Sequence, residues 1–106
     1  MAVIVVLTNL PDSESAFNLA REVVHLRLAA CANVLPEVAS FYRWEGAEEE
    51  AREVPVLIKT TTERYAELER AIKARHSYSV PEIIAWPVER GSAEYLAWVE
   101  RESRPD

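Results

Sequence analysis

The apolar positions along the chain form short strand-like runs separated by segments with helical spacing. Residues 2–8 are a continuous, largely β-branched run, which is typical of a strand buried on both faces. Asp12 then provides an N-cap for a helix over residues 13–28, whose polar side chains recur at spacings of three and four. The apolar positions on the predicted core-facing side of this helix are Ala16, Phe17, Leu19, Ala20, Val23, Val24 and Leu28.

The middle of the chain predicts extended structure on both sides of an acidic segment. Residues 32–44 are strand-like, although Pro36 indicates an edge, a bend or a bulge near their start. Residues 45–53 have helical propensities but lie between two strand-like runs, so they form either a helix or the tip of a long hairpin. Residues 54–61 predict the next strand. Alternation divides the first of these strands into one face with Val38, Ser40, Tyr42 and Trp44 and another with Ala39, Phe41 and Arg43.

A second helix is predicted directly after this strand. Thr60 and Glu63 match a capping box, which opens a helix extending to about Arg75. Glu69 and Lys73 form a favourable pair at a spacing of four residues. The predicted apolar stripe of the helix consists of Tyr65, Leu68, Ala71 and Ile72.

A strand over residues 82–88, in which Pro87 indicates an edge strand or the strand's end, and a short helix over residues 93–102, capped by Ser92, complete the pattern. The order is β-α-β-β-α-β with a C-terminal helix, which predicts an α+β, ferredoxin-like fold with helices on one face of an antiparallel sheet. The other sheet face needs cover, and a second copy of the chain could supply it, so we expect an oligomer. The length of 106 residues predicts a single domain over residues 1–106.

Composition and charge exclude several classes of protein. Twelve Lys and Arg against eighteen Asp and Glu give a net charge of −6, so nucleic-acid binding through a basic surface is not expected. No apolar run reaches the roughly 18 residues of a membrane span. The single cysteine, Cys31, excludes an intramolecular disulfide and a zinc ribbon and favours the cytoplasm. The absence of Gln and the excess of Arg over Lys suit a heat-adapted source, although a GC-rich genome gives the same bias.

Cys31 and the two histidines are the softest candidate ligands, and they suit copper or zinc. Cys31 lies among alanines, which also fits a small core residue, and His25 falls on the polar side of the first helix, as a surface residue does. His76 follows the second helix, where it serves either as a C-terminal cation or as a ligand. The acidic run Glu48-Glu49-Glu50 lacks the alternating spacing of a calcium loop and indicates a solvated tip.

Five motifs in fixed order resemble those of the CutA family of divalent-cation tolerance proteins, and the resemblance extends from Val3 to Trp98. It implies a non-enzymatic, ferredoxin-like subunit in a tight homotrimer similar to the PII signalling proteins. It also implies a cytoplasmic role in tolerance of copper and other divalent metals, and a long hairpin that spans subunits with the acidic segment as its turn. The motifs are Cys31-Ala32-Asn33-Val34-Leu35-Pro36, Tyr42-Arg43-Trp44-Glu45-Gly46, Lys59-Thr60-Thr61, His76-Ser77-Tyr78-Ser79-Val80-Pro81-Glu82-Ile83-Ile84, and Pro87-Val88 with Gly91 and Tyr95-Leu96-Ala97-Trp98.

The family's metal-binding residues carry over only in part. Some members have a Cys where this chain has Thr8, and some have two histidines where it has Arg75 and His76. Ser77 replaces the usual Pro, and a cationic Arg75 opposes a metal ion nearby. The candidate ligands for copper or another divalent cation are therefore His76, which the resemblance retains, and Cys31, whose thiolate is a soft ligand.

Two functions of different classes follow. The first is a trimeric, non-enzymatic protein of the metal-ion response with weak copper or other divalent-cation binding. The alternative is a PII-like signalling or scaffold trimer that binds a small metabolite or protein partner in the clefts between subunits. An enzyme using Cys31 and His76 ranks behind both, because a buried thiol is a poor nucleophile. The side chains predicted to line the inter-subunit cleft are Lys59, Tyr78, Trp44 and Arg43.

Overall fold

Five strands, a 3-10 turn and three α-helices follow one another along residues 2–106, the part of the chain that the computed structural model describes. The order of elements confirms the predicted α+β class, with the second predicted strand divided at Pro36. The elements are β1 (Val3–Leu10), α1 (Ser13–His25), β2 (Cys31–Val34), β3 (Val38–Trp44), β4 (Ala47–Thr61), the 3-10 turn (Thr62–Arg64), α2 (Tyr65–Arg75), β5 (Ile83–Pro87) and α3 (Ala93–Glu102).

The sheet is antiparallel and is organised around β4, its longest strand. The strands lie in the order β2-β4-β1-β5, and β3 pairs with the first half of β4 outside this path. Val54–Thr61 of β4 pairs with β1 on one side, and Val56–Lys59 pairs with β2 on the other. As Pro87 indicated, β5 is an edge strand and ends at that residue. One strand therefore connects the sheet to a projecting hairpin.

The main hydrophobic core lies between one face of this sheet and the helices α1 and α2. Alternate residues of β1 and β4 point into it, as the period of two requires. From α1 and α2 it receives residues at spacings of three and four, the spacing of a single helix face. The buried members from these four elements are Ile4, Val6, Leu10, Ala16, Leu19, Val23, Val54, Val56, Ile58, Leu68 and Ile72.

The first helix is shorter than its apolar pattern predicts. It ends at His25 because Arg27 has a φ of 58°, in the left-handed region that a helix cannot continue through. The sheet covers only the stripe of Ala16, Leu19 and Val23, so the predicted core residue Phe17 is 48% exposed, and Val24 is exposed too. The predicted apolar face was therefore too broad.

The predicted capping box of the second helix is wrong. Thr60 belongs to β4, and its hydroxyl donates to the backbone carbonyl of Leu28 over 2.7 Å. A 3-10 turn follows instead, and α2 begins at Tyr65. The ion pair between Glu69 and Lys73 is confirmed, at 3.2 Å.

The acidic segment forms a hairpin and not a helix. Glu45 and Gly46 have φ of 49° and 83°, so the connection is a two-residue turn with both central residues left-handed, which suits strand twist. Only these two residues turn, because Ala47 to Glu53 pair in register with β3. The alternation predicted for β3 is confirmed, because the strand pairs with β4 without interruption from Val38 to Trp44. Cross-strand partners share a face, so Glu53 lies on the same face as Val38.

The face of the sheet opposite α1 and α2, here called the second face, is covered only in part. Tyr95 of α3 lies against Cys31, so α3 covers one end of this face, and the three helices are not all on one side as expected. On β5, at the opposite edge of the sheet from β2, Ile84 is 50% and Trp86 is 43% exposed. The residues that share the second face by register are Cys31, Asn33, Leu57, Lys59, Val5, Leu7, Ile84 and Trp86.

Candidate functional site

A cleft of about 550 Å³ lies between the hairpin and the segment that joins α2 to β5, and we call it the hairpin cleft. One wall comes from the face of β3 that carries Ser40, Tyr42 and Trp44, and the other comes from residues 78–82; Phe41, from the opposite face of β3, also contributes to the lining. Its volume falls within the range of small-molecule sites. Its lining residues are Ser40, Phe41, Tyr42, Trp44, Glu53, Tyr78, Ser79, Val80 and Glu82.

The deepest charged group in the cleft is Glu53, which is only 8% exposed. It lies where β4 passes from the exposed hairpin into the buried sheet. Among residues 2–106 no Lys, Arg or His forms an ion pair with it. Tyr78 lies beside the carboxylate of Glu53. Burial, followed by the charge and hydrogen bond of Glu53, raises the pKa of Tyr78 to about 12, so this phenol stays a donor at neutral pH.

His76 holds the second wall of the cleft in place. Its Nε2 lies 2.6 Å from the carbonyl oxygen of Asn9, and its Nδ1 accepts from the backbone N–H of Tyr78 over 3.2 Å. A carbonyl only accepts and an N–H only donates, so we assign the neutral ring with its proton on Nε2. The rings of His76 and Tyr78 lie 4.6 Å apart. Asn9 also donates to Glu82, over 3.2 Å, so β1 anchors both ends of this wall.

The electrostatic character of the cleft is negative. Its lining includes the carboxylates of Glu53 and Glu82 and no Lys, Arg or His. Asp12 lies close enough to add to the raised pKa of Tyr78. The cation Arg43 lies in a neighbouring depression on the hairpin, where it pairs with Glu48 over 3.3 Å. The cleft thus combines anionic oxygens with aromatic rings.

The four side chains that the sequence assigned to an inter-subunit cleft do not lie together within one chain. Trp44 and Tyr78 line the hairpin cleft, and Arg43 adjoins it. Lys59 lies on the second face, six residues along β4 from Glu53 and so roughly 20 Å away. Its ammonium group donates to the side-chain oxygen of Asn33.

The sequence reasoning missed Glu53 and Glu82. A signal for Glu53 existed, since it is the last acidic residue before the apolar run of residues 54–58 and therefore lies at the boundary of burial. For Glu82 the sequence carries no such signal, because its position depends on a side-chain contact with Asn9, 73 residues away.

The candidate metal ligands Cys31 and His76 are not brought together in one chain. Cys31 lies opposite Lys59, whereas His76 binds at Asn9, which lies opposite Pro55, so their strand positions differ by roughly 13 Å. The separation rules out a Cys31–His76 dyad within the chain. Within residues 2–106 no group of three or more His, Cys, Asp or Glu is arranged to hold a metal ion.

The surroundings of the two candidate ligands also differ from expectation. Cys31 is half-buried on the second face and not in the core, with its thiol 3.7 Å from the side-chain oxygen of Asn33. Burial, and then the adjacent thiol, raise the pKa of Tyr95. Arg75 forms an ion pair with Glu22 of α1, which offsets its positive charge beside His76. His25 is exposed, as predicted.

Solved structures with the same fold are divalent cation tolerance proteins. One from Thermus thermophilus superposes with a TM-score of 0.93 at 43% identity, covering 94% of this chain and 97% of its own. CutA1 from Oryza sativa gives 0.94 at 36% identity, covering 98% and 95%. The fold and its hairpin therefore define an α+β protein of the divalent-cation tolerance class.

Sequence relatives narrow this class to one family. The model of the family described as CutA1 divalent ion tolerance protein matches residues 4–102. The divalent-cation tolerance protein CutA of Thermus thermophilus is 45% identical over 95 residues, which is 90% of this chain and 92% of that protein. That of Archaeoglobus fulgidus is 42% identical, over 85% and 87%. The chain belongs to the CutA1 divalent ion tolerance family.

None of the helices formed by residues 2–106 has the length and apolar character needed to cross a membrane. The solved Archaeoglobus fulgidus protein, at a TM-score of 0.92 and 36% identity, is described as a periplasmic divalent cation tolerance protein.

Proposed function

We propose that this chain is a non-enzymatic CutA protein that acts in the cytoplasm in the response to divalent metal ions. The observation that carries the proposal is the match to the family over residues 4–102, with relatives named for divalent-cation tolerance. The absence of Gln, ten Arg against two Lys and the Thermus relative favour a thermostable protein.

We further propose that the working unit is a homotrimer of PII-like form. The uncovered part of the second face supports self-association, because Leu7, Leu57, Ile84 and Trp86 present apolar surface on one side of the sheet. Burying this surface against further copies of the chain removes it from water, which is the main driving force of association. Three copies would carry a net charge of −18, three times −6, and attract cations in general.

Metal binding by this protein is weak in our proposal. Both ring nitrogens of His76 already make hydrogen bonds, so a metal at Nδ1 must displace the N–H of Tyr78. Each lost hydrogen bond of this kind costs about 1 kcal/mol, which lowers affinity severalfold. Cys31 is half-buried, so it contributes only where a partner subunit supplies the remaining ligands.

The test is a titration of the purified protein with Cu²⁺ in the presence of a competing chelator. We expect His76→Ala to weaken Cu²⁺ binding at least tenfold and Cys31→Ala to weaken it less. His25→Ala is the matched control, because His25 is exposed and remote in sequence. An affinity unchanged by His76→Ala removes this residue from the metal site.

A cellular experiment tests the proposed function independently of any particular ligand. Expression in a copper-sensitive bacterial strain that lacks its own CutA gene should restore growth at raised Cu²⁺. The same strain carrying the empty vector is the control. Failure of a well-expressed, folded protein to restore growth would argue against a role in metal tolerance.

The second candidate function is a PII-like signalling or scaffold protein that binds a small metabolite or a protein partner. The observation that favours it is the hairpin cleft with its largely buried Glu53, which forms no ion pair within residues 2–106. In this proposal Trp44 and Tyr78 contact the ligand directly, and Lys59 and Arg43 contribute from other subunits of the trimer. A screen for ligands that raise the thermal midpoint distinguishes the two candidates, because tight ligands stabilise the folded state by mass action.

A further inference from the structure

We propose that the hairpin cleft of one subunit receives Lys59 of the partner subunit, whose ammonium group forms an ion pair with Glu53. The inference rests on the proposed homotrimer and on the second candidate function, in which Lys59 reaches this cleft from another subunit. It adds the group that Lys59 meets there, and it makes the cleft a site that only two chains together complete.

Glu53 is left without a cation inside one chain. It is 8% exposed, and a carboxylate so far removed from water is costly unless a cation accompanies it. None of the ion pairs formed within residues 2–106 includes Glu53. Tyr78 lies beside it, but a protonated phenol supplies no positive charge. A cation from another chain would supply the missing charge.

Lys59 has the complementary property. It is the one charged member of the second face, the surface through which we propose that the subunits associate. Its ammonium group donates to the neutral amide of Asn33, and it forms no ion pair with a carboxylate of the described chain. An ammonium group has three N–H donors, so it can keep Asn33 and still bind a carboxylate.

The two charges lie on the same side of β4 and yet cannot meet within one chain. Glu53 and Lys59 are six residues apart, an even number, so both side chains point to the side of the second face. The separation along the strand is roughly 20 Å, which is farther than a lysine side chain reaches. In a closed ring of identical chains each Lys59 can meet the Glu53 of one neighbour, so that no charge is left over.

The lining of the hairpin cleft suits a lysine side chain. The rings of Tyr42 and Trp44 attract an ammonium group through their negative faces, and Val80 offers apolar surface to the carbon stem of Lys59. The chain itself places no Lys, Arg or His in this lining. Arg43 lies in the neighbouring depression, where it already has an acidic partner. The cleft therefore combines room for a lysine with the charge that a lysine requires.

Carbodiimide cross-linking of the full-length protein tests the pair, because it joins a carboxylate and an amine only where they touch. The reagent activates the carboxylate, the amine displaces the reagent as a urea, and an amide bond remains. The chain has two lysines, and Lys73, which pairs with Glu69 over 3.2 Å, provides an internal positive control. We expect a Glu53–Lys59 link identified by mass spectrometry and linked chains on a denaturing gel, because the separation prevents this link within one chain.

Two matched variants make the cross-linking specific. Lys59→Gln should abolish the linked chains, whereas Lys73→Gln should remove only the link to Glu69 and leave the linked chains in place. Absence of the Glu53–Lys59 link while the Glu69–Lys73 link forms overturns the inference. A link from Lys59 to a different carboxylate overturns it as well, because the cation then has another partner.

Thermal unfolding gives a second readout that needs no reagent. Glu53→Gln and Lys59→Gln should each lower the midpoint by several degrees, because each leaves the other charge buried without its partner. The double variant should lie closer to the wild type than either single variant does, since it leaves no unpaired charge. Strictly additive losses would show that the two groups do not interact and would contradict the proposal.

Sedimentation separates a failure of this inference from a failure of the proposed function. A wild type that sediments as three copies without the Glu53–Lys59 link keeps the homotrimer and loses only the ion pair. A wild type that sediments as a single chain overturns both. The metal-tolerance proposal stands apart from either result, because it is judged by chelator competition at His76 and by growth on copper.

Discussion

Glu53, Tyr78 and His76 form a connected set of side chains around the hairpin cleft. His76 orients Tyr78 through its backbone and ring, and Tyr78 in turn lies beside the carboxylate of Glu53. A histidine that the sequence offered as a metal ligand is thus a positioning residue in the single chain. Because both ring nitrogens already make hydrogen bonds, we expect any metal affinity at this imidazole to be low.

The alkaline stability of the protein should depend on Tyr78. Its pKa is about 12 in the folded state and 10 in the unfolded chain, so the folded state holds this proton more tightly. The resulting stabilisation is complete below pH 10 and is lost as pH rises from 10 to 12. Tyr78→Phe should therefore reduce the fall in unfolding free energy between pH 10 and 12, measured by urea denaturation.

The control for this prediction is Tyr65→Phe. Burial, and then Glu69, raise the pKa of Tyr65, so some alkaline slope persists in the Tyr78→Phe protein. Tyr78 should have the highest midpoint in an absorbance titration of the phenols. Identical slopes in wild type and Tyr78→Phe would contradict the assignment of the shifted group.

At the residue scale the sequence predicted candidates more reliably than contacts. Alternation correctly put Tyr42 and Trp44 on one face of β3, because the period of two is a local property. It could not show that Tyr78 would face them, since residues 45–77 intervene. The role of Glu53 depends on that long-range contact, so the sequence alone left it within an acidic run.

Among the elements, α3 depends on a connection to the end of α1. Arg27 donates from Nε to the carbonyl oxygen of Arg104 over 2.6 Å and from Nη2 to that of Arg101 over 3.0 Å. Its own carbonyl accepts from Arg64, which is buried at the start of α2. One residue in the left-handed region therefore joins all three helices.

Removing this connection should destabilise the protein. Arg27→Ala loses the hydrogen bonds to Arg101 in α3 and to Arg104 just beyond its end, and it keeps the unfavourable φ, so we expect a loss of about 2 kcal/mol. Arg27→Gly loses the same bonds but relieves the backbone, and should cost less by about 1 kcal/mol. Urea denaturation measures both, with Arg21→Ala as an exposed arginine control on α1. A larger loss for Gly than for Ala would refute the role of the backbone conformation.

Element types were predictable because the apolar runs of β1 and β4 and the helical stripe of α2 are strong local patterns. The errors lie where tertiary contacts override them. Thr60 resembles a cap, yet pairing with β1 keeps β4 extended through it, and its hydroxyl donates to the carbonyl of Leu28. Likewise α1 ends where the side chain of Arg27 reaches α3, a partner that local spacing does not show.

For the whole molecule, the uncovered second face decides the proposed assembly. Its exposed apolar side chains, Ile84 and Trp86, belong to the edge strand β5. The backbone N–H and C=O groups on the outer side of an edge strand also favour association with another chain. The sequence anticipated a face in need of cover, because it predicted the helices on one side of the sheet. It could not identify which residues remain uncovered, because that depends on how far α3 extends over the sheet.

A charge on this face should prevent assembly. At micromolar concentration the wild type should sediment as three copies of the 12.0 kDa chain, about 36 kDa. Ile84→Asp should shift this towards the single chain, because an unpaired carboxylate in an apolar interface is unfavourable. Phe17→Asp, at a similarly exposed position on α1, should leave the mass unchanged. A wild type that sediments at 12 kDa, or an Ile84→Asp protein that remains near 36 kDa, would refute the assembly through this face.

The double role of β4 also has a consequence for the order of folding. The first half of β4 pairs with β3 across a two-residue turn. Such a hairpin is a local structure that forms within about 1–10 μs. The second half of β4 pairs with a strand far away in sequence, with Thr61 opposite Val3, 58 residues earlier. Closing such long loops is slow. The hairpin that carries Tyr42 and Trp44 should therefore form first, and the sheet that fixes the position of the hairpin should form last.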